Sequence, residues 1–236
     1  VHLLDLLRPR AVVYHMVDDL AAVPGADKDA IREAEAQLLG RADAVFCTER
    51  SLHDRARQIN SASHFMPNVA DYRHFAHPPD EVRDARLDLL RTLPRPRLVF
   101  SGNITPHKVD VDLLADIAEA RPDWPLAIIG PRWEGAEPPA GLRRLEAAPN
   151  VEMLGLVPYD NLPAYLREAD VLLIPYVQNA ATRAVFPLKF FEYLATGRPV
   201  VASPLPSLLP YNRAVHLARG LGDWLAAIDR ALADTH

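Results

Sequence analysis

Three features of the 236-residue sequence predict an α/β fold built on parallel sheets. Short apolar runs alternate with amphipathic helical segments along the whole chain. The strand-like runs are continuously apolar, as in strands covered on both faces and joined by crossover helices. The stretch Arg91-Thr92-Leu93-Pro94-Arg95-Pro96-Arg97 reads as a linker between two such series. It sets a first domain at residues 1–94 and a second at 95–236, each near the usual size of a domain.

The elements follow in order. Val1–Arg8 reads as the tail of a helix, and Ala11–Met16 as a buried strand. A helix is expected over Asp29–Leu39, stopped at Gly40, then a strand over Ala44–Thr48 and a helix over Glu49–Gln58. Ser63–Met66 reads as a short strand halted by Pro67, and one helix is expected over Asp80–Arg91. The second series begins with a strand at Arg97–Ser101 and a helix at Val111–Ala120. Strands are expected at Leu126–Gly130, Val151–Gly155, Val171–Pro175 and Pro199–Ala202. Helices are expected at Leu162–Ala169, at Leu188–Thr196 with a glycine at its end, and at Leu221–Ala233.

Composition narrows the function classes. With 26 basic and 31 acidic residues the net charge is −5, which gives no footprint for nucleic acid. The single cysteine, Cys47, excludes a disulfide within the chain and sits in an apolar run, as a core thiol does. No apolar run reaches the ~18 residues of a membrane span. His53, His74 and His77 lie in polar sequence, and no metal-ligand spacing appears.

Ligands of open parallel sheets bind beyond the carboxyl ends of the strands, so the residues there are the candidates. Ser101-Gly102-Asn103 through Lys108 follows one strand. A glycine turn, a helix N-terminus and a lysine there suit a phosphate or diphosphate. Gly130 ends the next strand. Asp110-Val111-Asp112 matches D-x-D but lies in a first helical turn, where acids are favoured anyway, and reads as a helix start. The long polar loop after Pro175 supplies Tyr176, Thr182 and Arg183. It leads to a helix opened by Phe186, Pro187, Leu188 and Lys189 and carrying Glu192. In the first domain His15, Asp18 and Asp19 follow a strand, where an acid is as readily a helix start as a sugar contact.

Phe186-Pro187-Leu188-Lys189-Phe190-Phe191-Glu192-Tyr193-Leu194-Ala195-Thr196-Gly197-Arg198-Pro199-Val200-Val201 resembles the donor-site helix of GT-B glycosyltransferases. The resemblance is to the retaining, family-4-like group (glycosyl transferases group 1) that builds polysaccharides. Three segments support it in family order: Glu35 through Asp43 and Val45, Pro67-Asn68-Val69-Ala70-Asp71 through Phe75, and Pro149-Asn150-Val151 through Ala169-Asp170-Val171. The resemblance implies two Rossmann-like domains, the first incomplete at its start, and a nucleotide-diphosphate sugar held by the second. Lys108 and the Gly102–Asn103 turn would hold the diphosphate, and Glu192 would accept hydrogen bonds from the ribose. Leu154-Gly155-Leu156-Val157 would border the base, and backbone N–H groups near Phe186–Leu188 would meet phosphates. His15 and Asp18, on the acceptor side, are expected to join Lys108 and Glu192 as catalytic residues.

The resemblance further implies transfer to a glycan or glycolipid acceptor without metal or cofactor. A cytoplasmic setting is expected from the lack of a recognisable targeting signal and from where nucleotide sugars are made, with peripheral membrane contact and oligomeric state left open. Three positions depart from the family's pattern: Ala184 stands where a first glutamate would contact the sugar, Val109 where a glycine follows the lysine, and Asn103 where an arginine would reach the diphosphate. Arg183 and Lys189 are candidate replacements for that cation. Two other readings stand beside the transferase: a truncated nucleotide-binding module without catalysis, and a sugar-nucleotide 2-epimerase. A half-built first domain would expose an apolar sheet edge, so the isolated chain is expected to associate.

Overall fold

A computed structural model describes residues 2–79, 81–131, 135 and 137–234. In chain order the elements are α1 (His2–Leu7), β1 (Val13–Met16), α2 (Lys28–Arg41), β2 (Ala44–Cys47), α3 (Arg50–Arg57) and β3 (Ser63–Phe65). They continue with α4 (Tyr72–Ala76), α5 (Ala85–Thr92), β4 (Leu98–Ser101), α6 (Val111–Ala120), β5 (Leu126–Ile129), α7 (Ala140–Ala147) and β6 (Val151–Gly155). The rest are α8 (Leu162–Arg167), β7 (Val171–Ile174), α9 (Ala180–Arg183), α10 (Lys189–Ala195), β8 (Val200–Ala202), β9 (His216–Leu217) and α11 (Gly220–Ala233).

The chain forms two compact units. The first comprises residues up to Asn68 together with Gln178–Pro187 and Leu205–Leu208; the second holds the remainder. Residues 69–94, grouped by sequence with the first domain, pack with the second unit. The reason is a set of specific bonds. Arg167 donates to the Ala76 carbonyl at 2.9 Å, the His74 ring stacks on Tyr159 at 4.7 Å, and Arg91 pairs with Glu168 at 3.0 Å. The arginine-proline stretch is likewise no free linker. Arg97 is buried, pairs with Glu168 at 3.1 Å and donates its N–H to Asp170 at 2.7 Å, and Arg95 also pairs with Asp170.

The first unit carries a parallel sheet in the order β1-β2-β3. Its core gathers Met16, Leu39, Val45, Cys47, Leu52 and Ala56. Burial pushes the Cys47 thiol up to about 11, as befits an inert core sulfur. The expectation of strands covered on both faces fails for β1, where Val13 is 61% exposed and Tyr14 half-buried. β1 is the edge of this sheet and has one covered face. Helix α2 runs through Gly40 to Arg41, since a Cβ-less residue of ordinary φ does not stop a helix.

The second unit is a six-stranded parallel sheet in the order β6-β5-β4-β7-β8-β9. Here the continuous apolar runs do report two covered faces. Every residue of β4, β5, β7 and β8 is buried, and α6, α11, Trp124 and Trp224 close the core. Helices α4, α7 and α9 and strand β9 add to the elements expected from the sequence. All are short, and none shows a long apolar period. Helix α5 starts at Ala85 because Asp84 caps it, accepting from Arg86 N–H. Asp80, the expected start of that helix, lies outside the described residues.

The two units repeat one local device. Asp43 donates its N–H to the Val12 carbonyl (2.8 Å) and accepts from Val12 N–H (2.7 Å). Asp170 does the same with Arg97, at 2.8 and 2.7 Å. Each aspartate follows an alanine and precedes a strand, and it clasps the start of the neighbouring parallel strand. Asn60 and Asn150 repeat as well. Each sends its amide to carbonyls between the last turn of the helix one βα unit earlier and the strand that follows it, Leu39 and Ala42 at α2 in one unit and Ala118, Arg121 and Trp124 at α6 in the other. The aspartates and Asn150 lie in the segments that carry the family resemblance, and their work is to hold strands in register.

Candidate functional site

In the second unit the strands β4, β5 and β6 end on glycines that lie against one another. Gly102 donates its N–H to Ile129 (2.7 Å), and Gly130 donates to Gly155 (2.9 Å). A Cβ on Gly130 would come to 2.1 Å from the Gly102 carbonyl oxygen, so this position admits glycine alone. The Gly102 backbone has φ +140°. The chain then runs through exposed Asn103 to half-buried Lys108. That loop is tied down: the Lys108 carbonyl accepts from Val177 N–H (2.9 Å), and Val109 bridges Tyr176.

The expected anion site at the start of α6 is already filled. Asp110 caps the helix, its carboxylate accepting from Leu113 N–H at 3.0 Å. A phosphate would meet a carboxylate there, so the anion-holding capacity of this loop rests on the Gly102 turn and Lys108. The D-x-D match is accounted for by the same cap, with Asp112 in the first turn.

Helix α10 carries Lys189, Glu192 and Tyr193 at i, i+3 and i+4, on one face. Tyr193 is fully buried and its hydroxyl sits 2.8 Å from Ser101 N and 3.0 Å from Ser101 Oγ, which locks α10 to the end of β4. Glu192 is buried, and among the described residues no hydrogen-bond donor meets its carboxylate. Burial raises its pKa, while Lys189 and His74 pull it back. Lys189 retains partial exposure as a residue, but its ammonium is enclosed, and desolvation pushes it down to about 8. Leu188 is exposed at the start of this seven-residue helix.

The turn after β6 has exposed Leu156 and buried Val157. Its carbonyls are held by a residue that sequence reasoning misses. Arg86 Nη1 donates to the carbonyls of Leu154 (3.3 Å) and Leu156 (2.8 Å). Its other face is fixed by Asp84 at 2.6 Å. The Arg86 guanidinium holds the Asp84 carboxyl well below the usual carboxylate range. Nothing local announces this clamp, because Arg86 and Leu156 are 70 residues apart in the chain.

The second unit thus contains Gly102, Asn103, Lys108, Gly130, Leu156, Val157, Tyr176, Leu188, Lys189 and Glu192, with Gly130, Gly102, Lys189 and Tyr176 in one chain of direct contacts. The remaining candidates, His15, Asp18, Thr182, Arg183, Phe186 and Pro187, belong to the first unit. There Thr182 is buried in a reciprocal cap with Asn179, and Arg183 is exposed. The Phe186 carbonyl accepts from Asn68 at 2.7 Å, and Ser207 holds the Val185 carbonyl at 2.7 Å. Ala184 packs into the apolar core of that unit. His15 is exposed and Asp18 half-buried. Asp19, their neighbour, is spoken for: it pairs with Arg32 (2.7 Å) and Arg55 (3.1 Å). Burial alone would raise its pKa, but the two arginines hold it low. Glu35 joins the same two arginines, each at 3.1 Å, and so has a structural part in this unit. Among the described residues no cluster of three His, Cys, Asp or Glu side chains is arranged to hold a metal, and no helix is long and apolar enough to cross a membrane.

Comparison with known proteins identifies the family and the fold. The model of the family described as glycosyl transferases group 1 matches residues 95–234. A Bacillus subtilis (strain 168) protein, TuaH, named as a teichuronic acid biosynthesis glycosyltransferase, is 31% identical over 185 residues, covering 75% of this chain and 44% of that protein. An Escherichia coli (strain K12) protein, WcaI, named as a colanic acid biosynthesis glycosyl transferase, is 32% identical over 174 residues, covering 67% of this chain and 40% of that protein. The crystal structure of Anabaena HepE in complex with UDP-glucose superposes with a TM-score of 0.73 at 17% identity, over 98% of this chain and 65% of that one. The likeness in three dimensions shows the GT-B fold. The chain spans less than half the length of either curated relative.

Proposed function

Because this chain belongs to the glycosyl transferases group 1 family, we propose that its second unit binds a nucleotide-diphosphate sugar and serves glycosyl transfer to a glycan or lipid-linked acceptor. The observation that carries this reading is the set of groups at the carboxyl ends of β4–β7. A glycine turn that lets a ligand come close to the backbone, the Lys108 loop, and a buried carboxylate on Glu192 that lacks a donor all lie in one unit. A buried carboxylate without partners is costly, and ribose hydroxyls would supply the missing donors. The base would lie along Leu154–Val157, whose carbonyls Arg86 steadies.

Cleavage of the glycosidic bond leaves charge on the departing diphosphate. A fixed lysine and preorganised N–H groups stabilise that charge more in the transition state than in the ground state. The reading needs no cofactor beyond the donor, and it takes transfer to be metal-independent, with retention of anomeric configuration. HepE, a relative in fold, is described with UDP-glucose, which makes a uridine nucleotide the first donor to try. Nucleotide sugars are made in the cytoplasm, so the chain would work there, with peripheral contact to a membrane when the acceptor is lipid-linked.

One observation favours a second reading, a nucleotide-binding module without transfer: Ala184, where a sugar-contacting glutamate would stand, is committed to an apolar core. Calorimetric titration with UDP-, GDP- and ADP-glucose, paired with an assay for nucleoside diphosphate release, separates the two. Binding of one donor that is lost in Glu192→Gln, with release, supports the transferase. Binding without release supports the module. No binding of any donor refutes both.

A further inference from the structure

The ammonium of Lys189 occupies an unusual place. It is enclosed, yet its hydrogen bond to the Tyr176 hydroxyl is long, at 3.4 Å. Two aromatic faces wall it in, Phe100 at 4.6 Å and Tyr176 at 5.2 Å from Nζ. A third side abuts the glycine turn: a Cβ on Gly102 would lie 2.4 Å from Nζ. The charged groups facing it are Glu192 on its own helix and Lys108 on the loop after β4. Among the described residues no carboxylate, Glu192 included, forms an ion pair with it. A cation this desolvated, steered by two rings toward a backbone turn, lacks the anion that would justify its burial.

We propose that Lys189 is a diphosphate-binding cation of the donor site, held in reserve beside the Gly102 turn and drawn onto the phosphate oxygens when the nucleotide binds. The assignment deepens the reading of the second unit as a nucleotide-diphosphate site and rests on it. Arg183, the other candidate cation, is exposed and belongs to the first unit, whereas Lys189 shares a unit with Gly102, Lys108 and Glu192. Glycine at 102 is required by its backbone, at φ +140°, and the missing side chain leaves the space that the ammonium occupies. It also distinguishes two uses of lysine. Lys108 stands half-buried on a loop, while Lys189 is fixed at the first position of a helix whose fourth residue is Glu192.

The test compares the native chain with Lys189→Met, which keeps most of the length of the side chain and removes its charge. The probes are inorganic pyrophosphate, the nucleoside diphosphate among UDP, GDP and ADP that binds the native chain best, and the corresponding nucleoside. The proposal predicts that pyrophosphate and nucleoside diphosphate affinity fall at least about tenfold. Nucleoside affinity should stay within about twofold, and the ligand-free Tm should hold or rise, since a buried charge has been removed. A variant that binds pyrophosphate as tightly as the native chain overturns the assignment, as does an equal loss for diphosphate and nucleoside. Should the variant fail to fold, the native chain decides. Its affinity for the nucleoside diphosphate should drop as pH rises through about 8, where nucleotide phosphates no longer titrate, and a flat profile to a pH of about 9.5, beyond that range, overturns the proposal. If the native chain binds neither pyrophosphate nor any of the three nucleotides, the donor-site reading itself falls, and Lys189's role with it.

Discussion

Gly130→Ala puts the geometry of the glycine turn to a stability test. The new methyl would stand 2.1 Å from the Gly102 carbonyl oxygen and 2.9 Å from its carbon. Both neighbours are backbone, so no side chain can rotate away. Relief requires a shift of the Gly102 peptide against hydrogen bonds from Gly102 N–H to Ile129 (2.7 Å) and Gly130 N–H to Gly155 (2.9 Å). Overpacking costs about 1–3 kcal/mol, and each backbone bond lost adds about 1 kcal/mol. The sum is a loss of about 2–5 kcal/mol, or a Tm drop of roughly 5–15 °C for a chain of this length. The assay is thermal unfolding of native and variant chains, with Gly222→Ala as control. Gly222 lies in α11, and an added methyl there would meet nothing within 4 Å. Alanine at that position should stabilise by about 0.5–1 kcal/mol. A Gly130→Ala chain that unfolds within about 2 °C of native, on the order of the control's shift, would refute the close approach of the β4 and β5 ends.

Two further outcomes are expected. Asp170→Ala strips the buried Arg97 N–H of its acceptor and should cost about 2–3 kcal/mol in urea unfolding, whereas Asp43→Ala, whose partner bond to Val12 is exposed, should cost under about 1 kcal/mol; equal losses would mean the two clasps are not distinguished by burial. For pH, Lys189 titrates near 8 when folded against an ordinary 10.5. Between those values the unfolded chain binds more protons at this site, so the group's contribution to stability improves as pH rises from 8 to 10.5. The stability advantage of Lys189→Met over the native chain should therefore shrink by roughly 3 kcal/mol between about pH 7 and about pH 10.5, read as the difference between paired urea curves; a constant difference would contradict an enclosed ammonium.

The parts of the fold legible in the sequence are those that local chemistry dictates. The runs Leu98–Ser101, Leu126–Ile129 and Val171–Ile174 are apolar without alternation because both faces of their sheet are covered. Helix α6 is legible to the residue, since Asp110 caps it and Leu113, Leu114 and Ile117 mark its buried side. What escapes is non-local. Nothing near Pro94 reveals that Arg95 and Arg97 are tied to Asp170 and Glu168, so composition places a boundary there, whereas the chain passes into the second unit after Asn68. The site shows the same division. Gly102, Lys108 and Glu192 stand out because they follow strands or lie on a recognisable helix. The start of α6 reads as a helix start from Asp110, but that the capping carboxylate occupies the expected anion site is a matter of side-chain geometry. That Asp19 is consumed by Arg32 and Arg55, and that Arg86 holds the Leu156 turn, depends on partners distant in sequence.

The central claim is that the second unit holds a nucleotide diphosphate at the carboxyl ends of its strands. A crystal structure of the chain with the tightest-binding nucleoside diphosphate tests it most directly. Phosphate density is predicted against the Gly102 turn, within hydrogen-bond distance of Lys108 and Lys189, with the ribose on Glu192. Nucleotide seated elsewhere on the unit, or a Glu192 carboxylate left without a ribose hydroxyl, would contradict it.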